Sequence, residues 1–161
     1  MIPLRLFVAL LALLVVSGCQ SKGPSPMDEP LVARFFMEVR PGTPGMTVQL
    51  PVSRTLVNIN PKPVLSEYDI ANVEFTKVDL GWCLFFQFTP TAARDLHRLT
   101  SANLGGRLVL TLNDTPVGAR QIDQVIADGR LLTFVELPSE DLPPIAERLK
   151  RTSAKLAKQG R

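Results

Sequence analysis

One histidine, His97, and two cysteines are all that this sequence offers in imidazole and thiol chemistry. A lone histidine excludes a histidine-built metal cluster, and a cysteine–histidine nucleophilic pair would have to bring Cys83 to His97. Cys19 sits at the end of an apolar leader, so Cys83 has no partner for an intrachain disulfide and no disulfide framework exists. Gly-x-Ser-x-Gly and phosphate-loop motifs are missing, and Gly42-Thr43-Pro44-Gly45 reads only as a turn-rich loop. Charge of one sign is scarce too. Lys plus Arg number 18 against 15 Asp plus Glu, and setting Arg5 aside with the leader leaves 17 against 15, too small an excess to imply nucleic acid. No metal or other cofactor is called for.

What is present is concentrated at the two ends. Met1 to Arg5 supplies a short positive start, and Leu6 to Val16 is an unbroken apolar run of about the length of a signal-peptide core. That run is shorter than the roughly 20 residues a membrane-spanning helix needs. It closes on Val16-Ser17-Gly18-Cys19, one branched apolar residue, two small ones and a thiol. These four resemble the lipobox of bacterial lipoproteins, in which small residues admit the peptidase and the cysteine takes diacylglycerol. The resemblance implies cleavage before Cys19, acyl chains on its sulfur, and a protein of the cell envelope facing the periplasm. Gln20 after it favours the outer membrane in a Gram-negative host. An ordinary signal peptide with an incidental cysteine is the alternative.

Residues 1–18 are therefore read as leader and 19–30 as lipidated cysteine plus tether, since Gly23-Pro24-Ser25-Pro26 and Pro30 favour extended chain over packing. Residues 31–161 form one α+β domain, mainly antiparallel sheet with two covering helices, a length that buries an ordinary core. Leu31 to Val39, Thr47 to Leu50 and Thr55 to Asn60 are strand candidates punctuated by prolines, and Ser66 to Ile70 can make one helical turn. Asn72 to Asp79 alternates with period two, as a half-buried strand does. Trp82 to Phe88 is a central strand packed on both faces, with Cys83 in the core. Thr89-Pro90 starts a helix by capping and proline at its first position. Its stripe is Ala93, Leu96, Leu99, Thr100 and Leu104, leaving His97 exposed, and Gly105-Gly106 ends it. Arg107 to Leu112 alternates, Asn113-Asp114 turns the chain into Val117 to Ile122, and Asp128-Gly129 signals a second hairpin before Arg130 to Glu136. Asp141 caps a last helix from Leu142 to Lys158 with Leu142, Ile145, Leu149 and Leu156 inward.

From about Leu65 to Ala157 the order of elements, and especially Leu99-Thr100, Asn103, Gly105-Gly106 with the strand after it, Gly118-Ala119 and Gly129, resembles the head subdomain of the large periplasmic loop of the SecD protein-export subunit. Arg120 stands where that family has proline, and Asn113-Asp114 where Asp-Gly is common. The intramembrane carboxylates of the full transporter have no counterpart, so the resemblance implies a fold and a protein-contacting role, with exported or Sec-associated proteins as partners, and no proton-driven motor.

Three functional classes follow. A non-enzymatic interaction module is preferred, with sheet edges available for strand addition. An envelope enzyme would use carboxylates, with Glu67, Asp69 and Glu74 as its candidates. A structural spacer between membrane and cell wall would bind the wall through the last helix, where Arg148, Lys150, Arg151, Lys155 and Lys158 crowd with Glu147 as the only opposing acid; the same face could instead meet anionic lipid head groups or an acidic partner.

Overall fold

The computed structural model describes residues 29–159, so the leader, Val16, Ser17, Gly18, Cys19, Gln20 and most of the tether lie outside the described residues. In chain order the elements are β1 (Ala33–Met37), β2 (Met46–Gln49), β3 (Leu56–Ile59), β4 (Ile70–Val78), β5 (Gly81–Phe88), α1 (Pro90–Ala102), β6 (Arg107–Leu112), β7 (Thr115–Gln121), β8 (Arg130–Thr133) and α2 (Leu142–Gln159). The expected α+β class holds. All strand pairing is antiparallel, divided among a β1-β6-β7 sheet, a β2-β3 hairpin and a β4-β5-β8 sheet.

Local chemistry explains most boundaries. Asn113 and Asp114 take φ of 45° and 65°, joining Leu112 to Thr115 in the left-handed pair that a two-residue hairpin needs. The Thr89 hydroxyl accepts from the Ala92 amide at 3.3 Å, with Pro90 opening α1 behind it. Asp69 accepts from both the amide and the hydroxyl of Ser66 at 2.8 and 2.9 Å, which closes a tight turn there instead of a helical one.

Further expectations are corrected. The strand after Asp128-Gly129 does not fold back locally; β8 pairs with β5, Leu84 opposite Thr133 and Phe86 opposite Leu131. With β4 on one side, β5 needs a second partner for its remaining backbone groups, and Phe88 already donates to the Gly129 carbonyl at 2.9 Å. β6 is buried on both faces rather than alternating, because Leu108, Leu110 and Leu112 face the main core while Val109 joins a smaller one with Phe36, Val57 and Ile59. Leu104 is 57% exposed, since α1 stops at Ala102 and the next residues turn away; Ala92 takes the inward position instead of Ala93. Asp141 lies within a 3-10 turn, Ser139–Asp141, so the chain enters α2 already wound.

The main core gathers where the β1-β6-β7 and β4-β5-β8 sheets meet α1 and α2. Phe35 sits at its middle, fully buried, edge-on to Phe86 at 5.0 Å and to Phe88 at 5.7 Å, a favoured arrangement for aromatic quadrupoles. α2 packs chiefly along β4, where the small buried residues Ala146, Thr152 and Ser153 permit a close approach. The Leu31 amide donates to the Thr152 hydroxyl at 3.2 Å, tying the start of the domain to α2. No helix among the described residues is long and apolar enough to cross a membrane.

Candidate functional site

Sheet edges are where a strand-adding partner would dock, and the first sheet has closed both of its own. Outside β1, Phe35 donates to the Leu65 carbonyl and accepts from the Val64 amide at 2.9 and 2.8 Å, and Met37 accepts from Asn60. Outside β7, the Glu136 amide donates to the Val117 carbonyl at 2.7 Å. β4 and β8 differ. Among the described residues neither makes a backbone hydrogen bond to any segment beyond the β5 ladder. Glu74 on β4 and Arg130 on β8 are exposed, and both strands retain the unpaired groups that strand addition uses.

The three carboxylates considered for acid/base chemistry are not brought together. Glu67 forms a two-pronged ion pair with Arg34, with nitrogen–oxygen distances of 3.0 and 3.1 Å, and this pairing holds its carboxyl below the usual carboxylate range. Asp69 is spent on the Ser66 turn, and Glu74 accepts from the Asn72 amide group at 2.8 Å on the surface. None of the described cavities is lined by any of the three. No cluster of metal-ligating side chains occurs among the described residues.

The Arg34–Glu67 pair gives a testable pH dependence. A carboxylate whose folded pKa lies below its unfolded value contributes stability that is complete above the unfolded pKa and disappears as pH falls through the folded one. Glu67→Gln is expected to cost about 1 kcal/mol near neutral pH, the upper end for a partly exposed pair. In urea melts across an acid series, that gap should narrow below about pH 4 and close once the wild-type carboxyl is protonated. A gap independent of pH would assign the loss to packing.

Cys83 and His97 also stay apart. Cys83 is fully buried, its thiol pushed up by burial and its sulfur 3.6 Å from the Thr76 carbonyl. His97 is exposed on α1, where it lines an open groove with Pro90, Arg94 and Arg98.

The motif residues form one joint. Thr100, fully buried, donates its hydroxyl to the Leu96 carbonyl at 2.8 Å and accepts from the Ile126 amide at 3.0 Å. Asn103 ends α1 with its side chain on the Leu99 carbonyl at 2.8 Å, and Leu99 packs against the main core. Gly105 donates to Ile122, whose amide returns to Gly106, both at 2.8 Å. A side chain on Gly129, at φ +68°, would stand 2.6 Å from the Ala93 methyl. Gly118 lies directly beneath the Phe134–Val135 backbone, and Ala119 packs on the smaller core. The motif thus fixes how α1, the β6-β7 hairpin and the 122–129 segment meet.

The basic residues of α2 separate into two groups. Arg148, Arg151 and Lys155 line a groove of about 160 Å³ with Glu29, Pro30, Thr152, Leu156 and Gln159; Lys158, exposed, follows on the same flank, and Lys150 projects from the other. Two features escaped sequence reasoning. Trp82 stacks on Phe75 at 4.9 Å with the Lys77 amine 5.5 Å above its ring, beside Leu80, 84% exposed at the hairpin tip; the β alternation of 72–79 placed Phe75 and Lys77 on one face but carried no cross-strand register. Glu136 accepts from the Val52 and Ser53 amides at 2.7 and 2.9 Å, linking residues 84 and 83 positions apart. Partial burial raises its carboxyl, and these bonds outweigh that to leave it below the usual range. No local signal marks such a contact.

No protein-family model and no curated protein matches the chain. Solved structures do. A structure of SecDF in its super-membrane-facing form matches with a TM-score of 0.58 and 25% identity over 76% of this chain. A structure of SecDF described as a membrane component that enhances protein export matches with a TM-score of 0.59 and 22% identity over 82% of this chain and 70% of that one. SecDF from Thermus thermophilus, described as a translocon-associated membrane protein, gives a TM-score of 0.50 and 23% identity over 79% of this chain. This chain spans 18% of the first and 20% of the third. It is similar in fold to a part of SecDF, as the motif residues suggested.

Proposed function

We propose that this chain is a cell-envelope lipoprotein, held to its membrane through Cys19, whose domain contacts exported polypeptides or Sec-associated proteins without catalysing a reaction. The single observation that carries the reading is the likeness to SecDF over 82% of the chain. Two features support it. The residues that resemble the SecD head pattern sit at the joint that sets the fold. The β4 and β8 edges also offer unpaired backbone, to which an extended chain adds through main-chain hydrogen bonds with little demand on its sequence. The domain then faces the periplasm, and Gln20 directs the protein to the outer membrane in a Gram-negative host.

Photo-crosslinking residues placed at Glu74 and at Arg130, with Ser101 on α1 as a control, test this in intact cells. Adducts with exported or Sec-associated proteins are expected from the first two positions and not from the third. If neither edge yields such adducts, or all three positions yield the same ones, the reading fails.

A further inference from the structure

We propose that the groove formed by Arg148, Arg151 and Lys155 is a docking surface for anionic phospholipid head groups, so that α2 lies against the bilayer to which the chain is tethered. The proposal rests on Cys19 being the anchor, and its grounds are geometric. The chain enters the domain on this face of α2: the Arg148 guanidinium donates to the Glu29 carbonyl at 3.2 Å, and Glu29 and Pro30 form one wall of the groove. Cys19 precedes Glu29 by ten residues, and ten residues reach at most about 35 Å when fully extended. The anchor and the groove are therefore held within about 35 Å of each other.

Charge then selects the occupant. Arg151, Lys155 and Lys158 are exposed and lie on the same flank as Arg148, and none of the four forms an ion pair among the described residues. The acids nearby are Glu29 in the groove wall and exposed Glu147, four residues before Arg151. A groove of about 160 Å³ with arginines at its mouth suits a phosphate oxygen, which guanidinium grips in a planar fork. Lys150, about 120° round the helix from the groove at 3.6 residues per turn, is outside it.

The test uses the mature chain from residue 19, prepared with and without its acyl groups, and vesicles of phosphatidylcholine alone or mixed with phosphatidylglycerol. The acyl-free protein is expected to sediment with the mixed vesicles and not the neutral ones, and to come off as salt shortens the screening length to about 8 Å and below. A cation at an anionic surface contributes about 1 kcal/mol and about 1.4 kcal/mol is tenfold, so Arg151→Gln/Lys155→Gln should weaken that binding about 30-fold. Lys150→Gln, equal in charge per site, should change it less than about twofold, and circular dichroism of each variant checks that α2 is intact. Indifference to phosphatidylglycerol, equal losses from all substitutions, or retention by isolated peptidoglycan in place of vesicles would overturn the proposal. Failure of the anchor is read separately: lipidated and acyl-free chains would then bind neutral vesicles equally poorly.

Discussion

Cys19→Ala is expected to convert a protein that resists alkaline and high-salt extraction of membranes into one that both treatments remove, and to abolish its labelling by palmitate. The size of the effect follows from the chemistry of the anchor. Each acyl methylene buried is worth about 0.8 kcal/mol, one chain holds a protein only marginally, and two or three hold it for long times. The variant keeps its uncleaved leader, but Leu6 to Val16 is eleven residues where spanning takes about 20, so what remains is a weak interfacial hold. Wild-type protein that takes up no palmitate, or a variant that fractionates as wild type does, would remove the lipoprotein reading and with it the confinement on which the lipid-docking proposal depends.

The second large effect is expected at Gly118. An added methyl group there would press into the Phe134 carbonyl and stand 3.0 Å from the Val135 Cα, and both obstacles are main chain that no rotamer change can move. Either β7 shifts or residues 134–136 do, and the latter breaks the Glu136–Val117 hydrogen bond and moves the carboxylate that holds the Val52 and Ser53 amides. Overpacking of this kind costs about 1–3 kcal/mol and a lost backbone hydrogen bond about 1 more. Gly118→Ala should therefore lower the melting temperature by roughly 10 °C for a domain of this size. Gly105→Ala is the comparison, since its φ of +84° strains a side chain but leaves it in open space; it should cost about 1 kcal/mol. Equal melting temperatures for wild type and Gly118→Ala would mean that the close crossing of β7 by the Phe134 segment is not kept in solution.

Sequence patterning served well wherever one element was decided by its own residues. The cap at Thr89, the proline behind it, the left-handed Asn113-Asp114 pair and the strand propensity of β4 all act within a few positions, and each element stands where propensity and turn chemistry put it, although burial along β4 does not follow a strict period of two. It failed where partners were distant. Asp128-Gly129 has the composition of a hairpin turn, yet Gly129 is there to pass beneath Ala93 and deliver β8 to β5. A glycine fitted to a crossing and one fitted to a tight turn look alike in sequence, and only the surroundings tell them apart. The carboxylate candidates failed for a related reason: Glu67, Asp69 and Glu74 are neighbours along the chain, but each is claimed by a different partner, Arg34 from 33 residues away in the first case. The basic residues of α2 were legible as a group, while their division into a groove and an outlier, Lys150, came from helix phase combined with where Glu29 arrives.

Cys83 has a use that its chemistry in the folded state conceals. It is the free cysteine of the described domain, with no accessible surface, in the middle of β5 between β4 and β8. In a chain whose other thiol, Cys19, is acylated as proposed or replaced by alanine, a maleimide has nothing to react with until this sheet parts. The rate of modification then reports the population of the opened domain, in living cells as well as in the tube. If a docked polypeptide splints the β4 or β8 margin, that clock should slow.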